Sequence, residues 1–226
     1  MSAWVHQVWR KLIRGDTDDR PTRFHTQDGH LAPLVAYAKL PQAILQWLRL
    51  DWFGQRIERP WIPPSATQVI ERFLPPGAQV LEIGAGMSTL WLARRCQSML
   101  SIEADQKWFE QLRGIIAQRG LKNVNLQYRW QAHEMCDFSA IPDGSLHFCL
   151  IDGGPRLECL RAALPKMRTD GLIYVDNTDL HLSTKEFLLT LPTTHSLRLT
   201  FHRGFAPACL FINEGAFLEM MSATDA

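Results

Sequence analysis

The 226-residue chain lacks most of the features that would tie it to a specialised environment. No apolar run approaches the roughly 20 residues of a membrane span, so membrane association is not expected. There is no internal repeat and no low-complexity tract. Charge of one sign is missing as well. The formal net charge is +1, which leaves no electrostatic footprint for a nucleic-acid partner, and none is expected. Cysteine is sparse and unpaired in pattern: Cys96, Cys136, Cys149, Cys159 and Cys209 are odd in number, lie far apart and form no C-x-x-C pair. That disfavours a disulfide framework or a zinc site and favours reduced thiols. The opening stretch "MSAWVHQVWRKLIR" is interrupted by His6, Gln7, Arg10 and Lys11 and has no signal-peptide core. The expected location is cytoplasmic.

What is present is an ordinary globular composition, 46% hydrophobic and 21% charged, enough for one main core with an appendage. The appendage is residues 1–64, the main domain residues 65–226. The first 64 residues hold five of the eight tryptophans and a net charge of +3, against −2 for the remainder. Val5, Val8, Trp9, Leu12 and Ile13 recur at helical spacing with a basic opposite face. Three readings of this segment stay open: a cover for a substrate mouth or an interface with a second copy, a helical extension completing the core, and a surface helix on a membrane. "LPQAILQWLRL" reads as a helix with Pro41 in its first turn. Ser65 reads as the N-cap of the helix that "PPG" at 75–77 ends.

Beyond residue 78 strands and helices alternate. Strands are predicted at 79–83, 98–102, 124–128, 146–151, 171–175, 196–201 and 208–212, and helices at 88–95, 105–118, 155–167 and 183–190. "LHFCLI" and "GLIYV" are nearly continuous in apolar residues, as strands covered on both faces are. The expected fold is therefore α/β, a doubly wound sheet with its ligand site beyond the carboxyl ends of the strands.

Acidic residues recur at those ends, in "EIGAG", "IEAD", "LIDGGPR" and "YVDNTD". Each alone could be a helix cap or a solvated loop group; four on one edge make chance unattractive. Gly84, Ala85 and Gly86 form a turn before a helix, which presents backbone N–H groups near Ser88 and Thr89 to a negative ligand group. Glu82, in the strand before the turn, suits a positive one. Glu103 stands about twenty residues after the turn, where a nucleotide-binding fold places a carboxylate on ribose hydroxyls. A dinucleotide fingerprint would want a small third residue, but Thr89 is β-branched, and Glu82 would repel a pyrophosphate. S-adenosylmethionine carries an ammonium, a carboxylate and a ribose, and so answers all three features.

"VLEIGAGMSTLWLAR", "SIEAD", "LHFCLIDGGPR" and "GLIYVDNTD" resemble, in order and spacing, the class I S-adenosylmethionine-dependent methyltransferases, over roughly residues 60–213. "PWIP", "GAGMSTLWLA" and "DNTD" resemble a poorly characterised bacterial branch of that class. The resemblance implies a seven-stranded sheet of order 3-2-1-4-5-7-6, a methionine-binding glycine turn and a ribose-binding Glu103. Ser88 replaces the family's common third glycine. Adenine would lie against the loop after the third strand, at Gln131 and Ala132, which can equally be ordinary loop residues.

Asp152, Asp176 and Asn177 supply hard oxygen ligands on neighbouring strand ends, a set suited to Mg²⁺. The arrangement is similar to the metal-dependent catechol-type O-methyltransferases, in which such a metal would lower the pKa of an acceptor hydroxyl and orient it. Without metal, Asp152, which also borders the cofactor, would position the acceptor, and His181 or His202 would act as base. Asp152 may equally cap the helix near Pro155. The expected activity is methyl transfer to a small molecule, most readily at oxygen. An NAD(P)-dependent oxidoreductase and a catalytically silent binding module are the alternatives.

Overall fold

A computed structural model describes residues 20–194 and 197–221; the amphipathic stretch around Trp4 and Trp9 lies outside them. Three helices precede the sheet: α1 (Leu34–Tyr37), α2 (Leu40–Phe53) and α3 (Pro64–Phe73). α2 carries Pro41 in its first turn and stops at Gly54, whose left-handed φ of +63° lets its N–H bond to the Leu50 carbonyl. α3 starts at Pro64 with no side-chain cap. Ser65 therefore lies inside the first turn, not at the N-cap, and its hydroxyl meets His202 Nδ1 at 3.1 Å.

Then follow β1 (Gln79–Ile83), α4 (Met87–Ala93), β2 (Ser98–Glu103), α5 (Gln106–Gln118), β3 (Val124–Tyr128), α6 (Ala132–Met135), β4 (Leu146–Ile151), α7 (Arg156–Ala163), β5 (Met167–Asp176), α8 (Leu182–Thr194), β6 (Leu197–Phe205) and β7 (Ile212–Met220). The strands form one sheet of order β3-β2-β1-β4-β5-β7-β6. All neighbours are parallel except β7, which runs antiparallel to both β5 and β6.

The pleat divides the core. Leu81, Ile83, Cys149, Ile151, Ile173 and Val175 face α7 and α8 through Cys159, Leu160, Leu188 and Leu191. Val80, Phe148, Leu150, Leu172 and Tyr174 face α3 and α4 through Ala66, Ile70, Trp91 and Leu92. Both faces are thus covered, which is why the strand sequences lack polar alternation. Ala32, Ala36 and Ala43 pack with Phe205 and Ile212, so the segment before α3 covers the β6–β7 end of the sheet.

The last strand is displaced from its expected place. "ACLFI" at 208–212 is apolar, but Ala208 sits at φ +57° in a turn closed by Cys209 N–H to the Ala206 carbonyl at 3.0 Å. β7 begins where this connection ends, with Phe205 opposite Ile212. Its polar "NEG" hid it. Glu214 is fully buried, yet its carboxylate is answered by Lys185 at 2.7 Å, Arg203 at 2.6 Å and the Thr178 hydroxyl at 2.8 Å. Gly215 leaves room for the Tyr174 phenol, which a Cβ there would overlap. Gly215→Ala should therefore destabilise the protein by about 1–3 kcal/mol, read as a lowered urea midpoint at unchanged slope.

Candidate active site

Glu82 lies on the α4 side of β1 and is fully buried. Its carboxylate accepts from the Ser88 hydroxyl at 2.5 Å, the Thr89 hydroxyl at 2.6 Å, and the Ser101 hydroxyl. It therefore sits beneath the turn, tying β1 to β2 and to the first turn of α4. Burial pushes its pKa up to about 7, against which the three hydroxyls work. Above it, Gly84 adopts φ +89°, and an added Cβ would lie 2.7 Å from the Gly153 nitrogen. Only glycine lets the turns after β1 and β4 meet. The Gly84 and Ala85 amides donate to the Ile102 carbonyl at 2.9 and 3.0 Å, and the Gly86 amide donates to the Thr89 hydroxyl at 3.0 Å. The amides of Met87 and Ser88 open the helix and have no intrahelical acceptor. Thr89 thus braces the turn from within.

The turn borders a cleft of about 310 Å³, lined also by Glu103, Asp152 and Gly153. Glu103 ends β2, and its Oε1 accepts from the Ala104 and Asp105 amides at 2.8 and 2.7 Å. Its Oε2 makes no hydrogen bond among the described residues, so one acceptor oxygen stands ready at the cleft.

Three further lining residues, Arg56, Trp61 and Trp108, were not anticipated. Trp108 donates from Nε1 to the Ala85 carbonyl at 2.9 Å, and the Arg56 guanidinium stacks 4.6 Å above its ring. The Trp61 Nε1 is buried without a protein acceptor among the described residues. "PWIP" was the available signal for Trp61. Trp108 stands one helical turn into α5, which the cap of Asp105 on the Trp108 amide fixes.

At the second edge the structure brings Asp152, Asp176 and Asn177 together, and a fourth residue with them. Arg156, the first residue of α7, donates from Nε to the Asp176 carbonyl at 3.0 Å. Its Nη2 donates to the Asp152 carbonyl at 3.2 Å and to Asn177 Oδ1 at 3.0 Å. The same Nη2 lies 3.8 Å from the Asp152 carboxylate. Asp152 caps no helix: α7 starts after Pro155 with no side-chain cap. Burial and the neighbouring Asp176 carboxylate hold the Asp152 carboxyl well above the usual range. Burial likewise raises Asp176 to about 6, although the Tyr174 hydroxyl donates to it at 3.1 Å.

The Mg²⁺ expectation is corrected here. The amide oxygen that Asn177 would give a metal is spent on Arg156, and a fixed positive charge already faces these oxygens. Among the described residues no group of three or more His, Cys, Asp or Glu side chains could hold a metal ion.

His181 lies just before α8, its amide bonded to the Asn177 carbonyl at 3.1 Å, and burial together with Arg156 lowers its pKa. His202 is elsewhere, on β6, edge-on to Phe217 at 5.1 Å and bonded to Ser65. Gln131 and Ala132 open α6, where the Gln131 amide meets Glu134 at 3.3 Å; neither borders the cleft described above.

Residues 81–178, the span of this constellation, match the family model described as a methyltransferase domain. Over this span the chain is similar to a methyltransferase domain. Solved structures share its fold. A candidate O-methyltransferase from Klebsiella pneumoniae matches at TM-score 0.60 and 19% identity over 81% of this chain and 90% of that one. The O-methyltransferase TomG from Streptomyces achromogenes, solved with SAM, matches at TM-score 0.59 and 16% identity over 81% and 89%. An rRNA methylase from Streptococcus thermophilus matches at TM-score 0.58 and 12% identity over 74% and 100%. No curated protein matches the chain.

Because the buried Glu82 has a folded-state pKa above its unfolded one, it stabilises the fold fully only below about pH 4.5. That contribution is lost as pH rises through about 7. Between these values wild type should lose about 3 kcal/mol that Glu82→Gln does not lose. Urea unfolding of both proteins across this range checks it.

Proposed function

We propose that the domain transfers a methyl group from S-adenosylmethionine to a small-molecule acceptor, at oxygen. The reading is carried by the free Glu103 oxygen, which faces the same cleft as the glycine turn. Glu103 holds the ribose hydroxyls, and the Gly84–Ser88 turn, fixed from below by Glu82 and Thr89, holds the methionine end. Gln131 and Ala132 remain the proposed adenine contacts. When bound, S-adenosylmethionine supplies a methyl group already activated on a sulfonium.

The protein's share is alignment and exclusion of water, which can supply much of the acceleration. Asp152 borders both the cofactor cleft and the second edge. Asp152 is the proposed group that orients the acceptor by a hydrogen bond. His181, kept neutral by burial and by Arg156, is the proposed base.

A net charge of +1 favours a small molecule over RNA as acceptor, although one structural neighbour is an rRNA methylase. Among the described residues no helix is long and apolar enough to cross a membrane. A cytoplasmic setting, an extension of residues 1–64 ahead of a catalytic domain of 65–226, and a second copy as partner belong to the same proposal. An NAD(P) oxidoreductase is opposed by Glu82, whose charge would repel a pyrophosphate, and by Thr89, which is β-branched where a dinucleotide turn wants a small residue.

Calorimetric titration with S-adenosylhomocysteine should show micromolar binding that Glu103→Ala weakens about 10- to 100-fold, the worth of hydrogen bonds to a charged acceptor. Absence of binding to wild type would sink the proposal. NAD binding in its place would favour the oxidoreductase, and binding without turnover on any acceptor the silent module.

A further inference from the structure

We propose that the Arg156 guanidinium is the resident cation of the second strand edge, standing where a divalent ion would sit among Asp152, Asp176 and Asn177, and that the acceptor half of the site works without metal. This rests on the methyl-transfer reading of the cleft, but its geometry is independent of the cofactor.

All four contacts of Arg156 fall on the three residues that would otherwise be metal ligands: the carbonyls of Asp152 and Asp176, the amide oxygen of Asn177, and the Asp152 carboxylate. The guanidinium is planar, permanently charged and rich in fixed donors, so it can answer oxygens on two different strand ends at once. Mg²⁺ would demand near-octahedral oxygens at about 2.0–2.1 Å and several waters. Arg156 is not a surface side chain that could swing aside at no cost. It is only 11% exposed, held under the turns at the start of α7. Asn177 is itself fixed in a left-handed conformation, φ +56°, that presents its amide oxygen to Nη2. A divalent ion entering here would meet a fixed positive charge and find one ligand already taken.

Arg156 is on this account a positioning residue. It holds the Asp152 backbone at the floor of the cleft and ties β4 to β5, while its single charge offsets the acids beside it. Its removal should expose a latent metal site.

The test is Mn²⁺ titration of the full chain, followed by the loss of the free-ion electron paramagnetic resonance signal, with and without S-adenosylhomocysteine. Wild type and Arg156→Lys should show no saturable binding. Arg156→Ser should bind Mn²⁺ at least about tenfold more tightly than wild type, and the added Asp176→Asn change should abolish the gain. Saturable Mn²⁺ binding by wild type would overturn the proposal, and so would an Arg156→Ser protein that melts cooperatively yet gains no Mn²⁺. If the serine variant does not fold, Arg156→Gln carries the same readout. Calorimetry with S-adenosylhomocysteine on the same samples separates the two readings. Failure to bind it would strike the methyl-transfer reading and leave the Mn²⁺ result standing.

Discussion

A fully buried carboxylate with no cation beside it among the described residues sets the geometry of the whole site. Glu82 is held by three hydroxyls drawn from α4 and β2, and these same hydroxyls fix the turn above it. Thr89 is the clearest case, donating down to Glu82 while accepting from the Gly86 amide. A β-branched residue that looked obstructive for a pyrophosphate turn is thus an internal brace. With the turn fixed, Gly84 and Gly153 come into contact that no Cβ would permit. The ends of β1 and β4 therefore share one floor, and Asp152 belongs at once to the cofactor cleft and to the edge beside it.

That closeness creates an electrostatic problem, since acids crowd the strand ends. The protein meets it differently at each place. Glu82 is answered by hydroxyls alone, and its pKa rises. Glu103 spends one oxygen on two backbone amides and keeps the other open. Asp152 and Asp176, both with raised pKa values, face a guanidinium. Glu214, on the far side of Thr178, receives two full cations. Glu103 thus keeps an uncommitted acceptor oxygen at the cleft.

The parallel half of the sheet was readable because buried parallel strands are continuous apolar runs and their spacing is set by the helices between them. β1 and β4 fall at the predicted residues. β7 did not, because it is a polar-looking strand whose glutamate is neutralised by Lys185 and Arg203, residues distant in sequence. A window of local hydropathy cannot register partners that arrive from other elements. The same limit explains Arg156. The pattern of Asp152, Asp176 and Asn177 gave the oxygens, but the cation answering them enters from the helix after β4, and only packing shows that it points back. Arg56 and Trp61 precede the sheet by a linker, so nothing in the strand pattern attached them to the cleft.

These late additions complete the charge pattern that the glycine turn began. The cleft has an open carboxylate oxygen on Glu103, an acid of raised pKa at Asp152, and a guanidinium laid over Trp108 at Arg56. A polyanionic ligand would meet one favourable charge at Arg56 and, at Glu82, a buried carboxylate working against it. A ligand with hydroxyls for Glu103 and a single carboxylate near Arg56 meets no opposition. Its ammonium would rest on a turn whose deeper charge is Glu82. The balance of signs, taken residue by residue, therefore supports the proposed zwitterionic nucleoside through Glu82 and Arg56, while Glu103 would serve the ribose of a dinucleotide as well.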